Sequence, residues 1–171
     1  IVEAVFENSE LQAKITELAE DVIGEDAVFG SNTSTIPITD LAKASKRAKN
    51  FIGIHFFSPV HKMNLVEIIK GAETSDYAIS RAIDFVTRIR KCPIVVEDTR
   101  GFYANRCVMR YMAEGYNMLA EGVKPALIEN AAKMAGMPVG PLSLQDEVAI
   151  DLAYKVKEQT KADLGSQYSE G

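Results

Sequence analysis

The chain has 171 residues, 47% of them apolar and 25% charged, with a formal net charge of −5. These fractions are those of an ordinary folded globular chain and exclude wholesale disorder, and the length admits one medium domain or two small ones. The acidic balance, with no run of Lys or Arg able to form a basic stripe, excludes nucleic acid as the main partner, and no stretch approaches the roughly 18 apolar residues of a membrane span.

Residues 1–6 read as a strand already in progress, with no polar lead and no Met. Residues 165–171 read as a frayed or cut tail, so the expectation is a fragment of a longer protein. Leu11, Ile15, Leu18 and Val22 recur at helical steps, with Asn8 or Ser9 placed to cap the start and Gly24 the end. Residues 27–29 predict a short buried strand that runs into a polar loop, Ser31-Asn-Thr-Ser34. Residues 40–44 predict a short helix capped by Thr39. Residues 51–57 and 65–69 predict strands, the first stopped by Ser58-Pro59. A helix follows over residues 76–90, with Ile79, Ile83, Val86 and Ile89 on one side, and then a last strand over residues 93–96.

From Phe102 onward the periodicity is helical. Val108, Met112, Gly115 and Leu119 mark one helix, closed by Gly122; Pro125 opens a second; Leu144, Val148, Leu152 and Val156 mark a third after a Gly- and Pro-rich break. Strands alternating with helices, then helices alone, predict an α/β domain over residues 1–97 with a partly parallel sheet, and an all-α domain over residues 98–171.

Two histidines are present. His55 stands near the end of a strongly apolar strand, where open α/β sheets place ligands, and neighbouring Phe56 and Phe57 would keep water from its ring. A histidine acts as a base near neutral pH with little adjustment. His61, beyond the Ser58-Pro59 break, reads as a solvated loop residue. Glu67 lies inside another apolar segment, where a carboxylate is costly unless paired. If the two strands are neighbours, Glu67 can fix the imidazole tautomer. His55 as a satisfied core residue and Glu67 on a solvated face are the competing readings. The donors of the loop at residues 31–34 suit a hydroxyl, a carbonyl or a phosphate, or else cap the next helix. Asn105, in the first turn of a helix, is unusual unless it points at something. Cys92 and Cys107 have no partner at zinc spacing and read as ordinary thiols of a reducing compartment, so no metal is expected.

The runs Ser31-Asn-Thr-Ser-Thr35, His55-Phe-Phe-Ser-Pro-Val60, Leu65-Val-Glu-Ile-Ile69, Gly101-Phe-Tyr-Ala-Asn-Arg106 and Gly136-Met-Pro-Val-Gly-Pro141 occur in register along the chain. Together they resemble the L-3-hydroxyacyl-CoA dehydrogenases of fatty acid β-oxidation, and among these the multifunctional proteins in which an enoyl-CoA hydratase domain precedes the dehydrogenase. The resemblance implies the C-terminal half of a Rossmann-type dinucleotide-binding domain followed by an α-helical domain, with NAD as cofactor and an acyl-CoA as substrate. It implies His55 as catalytic base, Glu67 as its carboxylate partner, and Ser34 and Asn105 beside the reacting centre. Glu7, Asn32 and Ser34 become cofactor contacts, and Ser34, Ser58 and Asn105 substrate contacts. Ser58 stands where stand-alone members usually have Asn, and Gln12 where some have a Lys. The family's Gly-x-Gly-x-x-Gly turn, whose backbone N–H groups bind pyrophosphate, is not among the 171 residues. The expectation is therefore that this chain alone turns over little substrate. A non-catalytic CoA-ester-binding or dimerisation piece is the alternative. The family's setting implies a homodimer or a larger multifunctional chain, in the bacterial cytoplasm or, in a eukaryote, in mitochondria or peroxisomes.

Overall fold

The computed structural model describes residues 1–148, 161 and 165. The chain divides into two compact units, Ile1–Arg106 and Cys107–Gly171. The first is built on one sheet whose strands lie side by side in chain order: β1 (Val2–Glu3), β2 (Phe29–Ser31), β3 (Phe51–Phe56), β4 (Leu65–Lys70) and β5 (Cys92–Glu97). β1, β2 and β3 are mutually parallel, whereas β4 runs antiparallel to β3 and parallel to β5.

Alternation along β3 and β4 divides their side chains between two faces. Ile52, Ile54, Val66 and Ile68 pack with Ala78, Ala82 and Val86 of the helix α3 (Asp76–Arg88). Phe51 and Ile69 face the other way, into a cluster with Phe29, Ile38, Leu41 and Phe102. On α3 it is Ala78 and Ala82, rather than the isoleucines, that are fully buried. Their small side chains let the helix backbone come close to the sheet, and Ile79 and Ile83 pack partly buried against the same cluster. The helix stops at Arg88, and Ile89, read as part of its inner face, is exposed.

Helix α1 (Ser9–Glu20) is capped by Asn8, whose side-chain Oδ1 accepts from the Leu11 N–H at 2.9 Å. It ends at Asp21, short of Gly24. Its most deeply buried residues are polar, while Ile15 and Ala19 pack partly buried against the Phe29 cluster. Gln12 and Thr16 are each only 2% exposed, and Val22 just beyond the helix is 83% exposed. The Gln12 Nε2 donates to Glu3, and Glu20 accepts from the Ser45 hydroxyl at 2.5 Å and the Lys46 N–H at 2.7 Å. Of the four apolar positions read at helical spacing, Ile15 packs on the core, whereas Leu11, Leu18 and Val22 are exposed.

Other boundaries shift for local reasons. β1 is shorter than the apolar run suggests, because the Val5 N–H turns back to the Glu3 carboxylate at 3.0 Å. The predicted helix at residues 40–44 begins earlier, as α2 (Ile38–Leu41) followed by a 3-10 turn at Ala42–Ala44. Thr39 lies inside it. The cap is Asp98, from the distant end of β5, which accepts from the Ile38 and Thr39 N–H groups at 2.9 and 2.7 Å.

In the second unit, α4 (Ala104–Ala120), whose first residues belong to the first unit, is followed by α5 (Pro125–Met134) and α6 (Pro141–Val148). Pro125 opens α5, as its missing N–H predicts. Gly115 is buried where a Cβ would meet Pro141 Cγ at 2.6 Å, so α4 and the start of α6 approach closely there. The Glu129 carboxylate accepts from the Leu142 N–H at 2.9 Å and the Ser143 hydroxyl at 2.5 Å, closing the N-terminus of α6. The Leu152 and Val156 positions of the third predicted helix lie outside the described residues. No helix among the described residues is long and apolar enough to cross a membrane.

Candidate active site

The β3–β4 register sets His55 directly opposite Glu67. In an antiparallel pair, opposed residues point to the same face, so two side chains 12 residues apart are brought together by strand pairing alone. The His55 Nδ1 lies 2.8 Å from the Glu67 Oε2, and both residues are buried. The His55 Nε2 has no hydrogen-bond partner among the described residues. A neutral imidazole that donates from Nδ1 to a carboxylate presents Nε2 as a proton acceptor.

The second oxygen of Glu67 is also engaged. Its Oε1 accepts from the backbone N–H groups of Tyr103 and Ala104 at 3.0 and 2.7 Å, at the first turn of α4. Burial pushes the Glu67 carboxyl up, but the hydrogen bond with His55, the N–H groups of Ala104 and Tyr103, and the charge on His55 outweigh it. The carboxyl is held below its ordinary value.

Two aromatic rings flank the imidazole. Phe57, two residues on along the same face, has its ring centroid 4.5 Å away, and Phe102 stands 5.9 Å away. Phe56, read from sequence as a second shield, points to the opposite face and packs in the α3 cluster. Phe102 was not singled out by sequence reasoning, nor were the N–H groups of Tyr103 and Ala104. The available signal was Gly101 with an aromatic residue directly after it, at the point where strands give way to helices.

Asn105 donates from Nδ2 to the backbone carbonyl of Ser34 at 3.0 Å, which joins the start of α4 to the loop after β2. No partner among the described residues takes up the Ser34 hydroxyl. Asn32 accepts at Oδ1 from the Phe56 N–H at 2.8 Å and so staples the same loop to the end of β3. Glu7 is drawn into the loop as well. Its Oε1 accepts from the Thr33 hydroxyl at 2.6 Å and from the N–H groups of Ser34 and Thr35 at 3.1 and 2.8 Å. Ser58 is exposed in the turn after Phe57, joined to Pro59 by a cis peptide, and makes no hydrogen bond with the other candidates among the described residues. Lys91 braces that turn, its Nζ donating to the carbonyls of Val60 and Met63 at 2.6 Å each. His61 is exposed.

Comparison with known proteins identifies the family. Residues 1–99 match the family model of the 3-hydroxyacyl-CoA dehydrogenase NAD binding domain, and residues 101–170 match that of the C-terminal domain. The fatty acid oxidation complex subunit alpha of Shewanella sp. (strain W3-18-1) is 43% identical over 168 residues, which are 98% of this chain and 24% of that protein. The chain therefore spans about a quarter of the length of the curated relatives it matches. Among solved structures, (S)-3-hydroxybutyryl-CoA dehydrogenase from Ralstonia eutropha superposes with a TM-score of 0.86 at 37% identity, over 94% of this chain and 58% of that one. The dehydrogenase part of multifunctional enzyme 1 from C. elegans superposes with a TM-score of 0.66 at 28% identity, over 96% and 38%.

Proposed function

Because the chain belongs to the 3-hydroxyacyl-CoA dehydrogenase family, we propose that the protein it forms interconverts L-3-hydroxyacyl-CoA and 3-ketoacyl-CoA with NAD, with His55 as the base. The observation that carries this reading is the buried contact of His55 Nδ1 with Glu67, which leaves Nε2 as the acceptor. In the oxidation, Nε2 takes the proton of the 3-hydroxyl as the C3 hydride departs. Glu67 then faces an imidazolium, whose charge it stabilises without taking the proton. In the reverse direction the imidazolium returns the proton to the ketone oxygen.

The donors and acceptors at the ends of β1 and β2 suit a nicotinamide nucleotide. The Ser34 hydroxyl has no partner among the described residues, and Glu7 and Asn32 hold the loop that carries it. Ser34 would contact the substrate oxygen and the nicotinamide side, with Glu7 and Asn32 shaping that surface. The bound nicotinamide supplies the hydride acceptor. Asn105, fixed on the Ser34 carbonyl, and Ser58, on its exposed turn, are the remaining substrate contacts in this reading. Phe57 and Phe102 exclude water from the imidazole, which strengthens each polar interaction there.

The relatives named as alpha subunits of a fatty acid oxidation complex support a place within a larger multifunctional chain, in a bacterial cytoplasm. The helical unit is the candidate surface for pairing with a second copy. The test is reduction of acetoacetyl-CoA with NADH by the intact protein and its His55→Gln variant. Turnover should fall by about 10²-fold or more with KM little changed, the range lost when a positioned general base is removed. Undiminished turnover would sink the assignment.

A further inference from the structure

Phe102 adopts a conformation that a bulky residue rarely takes. Its φ is +49° and that of Gly101 is +73°, so two successive residues lie in the left-handed region. For Gly101 this is free of steric cost; for Phe102 it is strained, and such strain persists only where the surroundings hold it. The surroundings are specific. The turn is closed by the Phe102 N–H donating to the Thr99 carbonyl at 2.7 Å. The Phe102 ring is 1% exposed and tilted by 59° against the imidazole of His55. The next two N–H groups along the chain are those that meet Glu67. One residue thus reaches both members of the pair, His55 through its ring and Glu67 through the backbone it turns.

We infer that Phe102 is a positioning residue for His55: the left-handed Gly101–Phe102 turn aims the Tyr103 and Ala104 N–H groups at Glu67 and lays the Phe102 ring on the imidazole, holding it in the tautomer that keeps Nε2 open. The inference rests on the reading of His55 as the base. The geometry gives the reason. Glu67 uses one oxygen for the ring and one for the backbone, so losing the backbone pair frees the carboxylate to rotate. Hydrogen bonds from N–H to a carboxylate are among the stronger ones, and the pair gives a definite plane to the group that orients the imidazole. If the turn relaxed to negative φ, both N–H groups would swing away from Oε1. Phe102 also belongs to the cluster with Phe29, Phe51 and Ile38, so stability alone cannot separate positioning from packing.

The separating measurement is the tautomer. His55 and His61 are the two histidines of the chain, so ¹⁵N-histidine labelling with His61→Gln gives a single imidazole to observe. At a pH where the ring is neutral, the wild-type chain should show one tautomer, protonated at Nδ1. Phe102→Leu, which keeps apolar bulk, should preserve it. Phe102→Ala and Gly101→Ala should average the two tautomers and speed exchange of the Nδ1 proton about tenfold or more. Gly101→Ala decides the matter if Phe102→Ala does not fold. A Cβ there meets nothing closer than 3.7 Å, so its effect comes through the backbone alone. In the intact enzyme the same two variants should lower kcat about tenfold with KM for the acyl-CoA unchanged, the mark of a misplaced base rather than lost binding. A wild-type tautomer and exchange rate in both variants would overturn the inference. Loss of the tautomer with turnover intact would uphold the positioning and would instead remove His55 from the catalytic role.

Discussion

His55 and Glu67 face each other across the β3–β4 ladder, with Nδ1 and Oε2 2.8 Å apart and neither side chain more than marginally exposed. The register that opposes them is fixed by the apolar residues on either side. A slip of β3 by one residue would turn Ile52 and Ile54 out of the α3 cluster and carry the imidazole to the opposite face. The catalytic candidate pair and the core are thus consequences of the same alternation.

The depressed carboxyl of Glu67 gives a pH dependence with a definite sign. A group whose value is lowered on folding contributes stability that is present above its unfolded value and is lost as pH falls through the folded one. The melting temperature should therefore fall on acidification below the ordinary carboxylate range. In Glu67→Gln this part of the acid slope should be absent. The variant should also lose about 1–3 kcal/mol near neutral pH, because the amide cannot satisfy both the ring and the two N–H groups equally well. Thermal melts of both proteins from about pH 3 to about pH 7 check this. An identical acid slope in the variant would show that other carboxylates carry it.

Glu7→Ala removes the acceptor that gathers the Thr33 hydroxyl and the N–H groups of Ser34 and Thr35. Much of this loop is reached by water, so the stability loss should be small, about 1–2 kcal/mol. The larger expected effect is functional. In the intact protein KM for NADH should rise more than kcat falls, because the loop that presents Ser34 is no longer pinned. An unchanged KM for NADH would exclude this loop from the cofactor surface.

Gly53→Ala tests the packing beneath the site. A Cβ at residue 53 would lie 2.7 Å from the Ile69 Cβ and 2.8 Å from the Ile38 side chain, on the same face of β3 as His55. Overpacking of this kind costs about 1–3 kcal/mol. Urea unfolding should register the loss. An unchanged midpoint would mean that β3 can move away from Ile38 without cost.

Ser75→Ala addresses the helix beneath the opposite face. The Ser75 hydroxyl accepts from the Ala78 N–H at 3.2 Å and donates to the Lys49 carbonyl at 2.8 Å. Loss of an N-cap costs about 1 kcal/mol, and the variant should melt lower by that equivalent without altered turnover in the intact protein. A larger loss would point to the Lys49 contact as the greater contribution.

Sequence periodicity located the strands around His55 and Glu67 and the helices α1, α3 and α5, because hydrophobic spacing and the special backbones of Gly and Pro are local properties. Residue chemistry pointed to His55, Glu67 and Asn105, and the resemblance added Ser34. Which side of a helix is buried was not local in the same way. Leu18 and Val22 fall at helical spacing, yet Gln12 and Thr16 are the most deeply buried residues of the helix, with the Gln12 Nε2 donating to Glu3 and the Thr16 hydroxyl to the Gln12 carbonyl. The capping of α2 by Asp98 was equally out of reach, since the two are some 59 or 60 residues apart in the chain.

What the sequence by itself determined is the set of groups, a histidine and a carboxylate each within an apolar strand segment, and the resemblance those segments carry. What only the tertiary structure decided is how they are aimed. The β3–β4 register puts Glu67 on Nδ1 and leaves Nε2 open, and the Gly101–Phe102 turn supplies the second hold on Glu67. The physical reason is that residue type and spacing fix which groups exist and which face they prefer. Strand register and a strained turn are settled by many distant contacts at once, and they alone fix the direction of a lone pair.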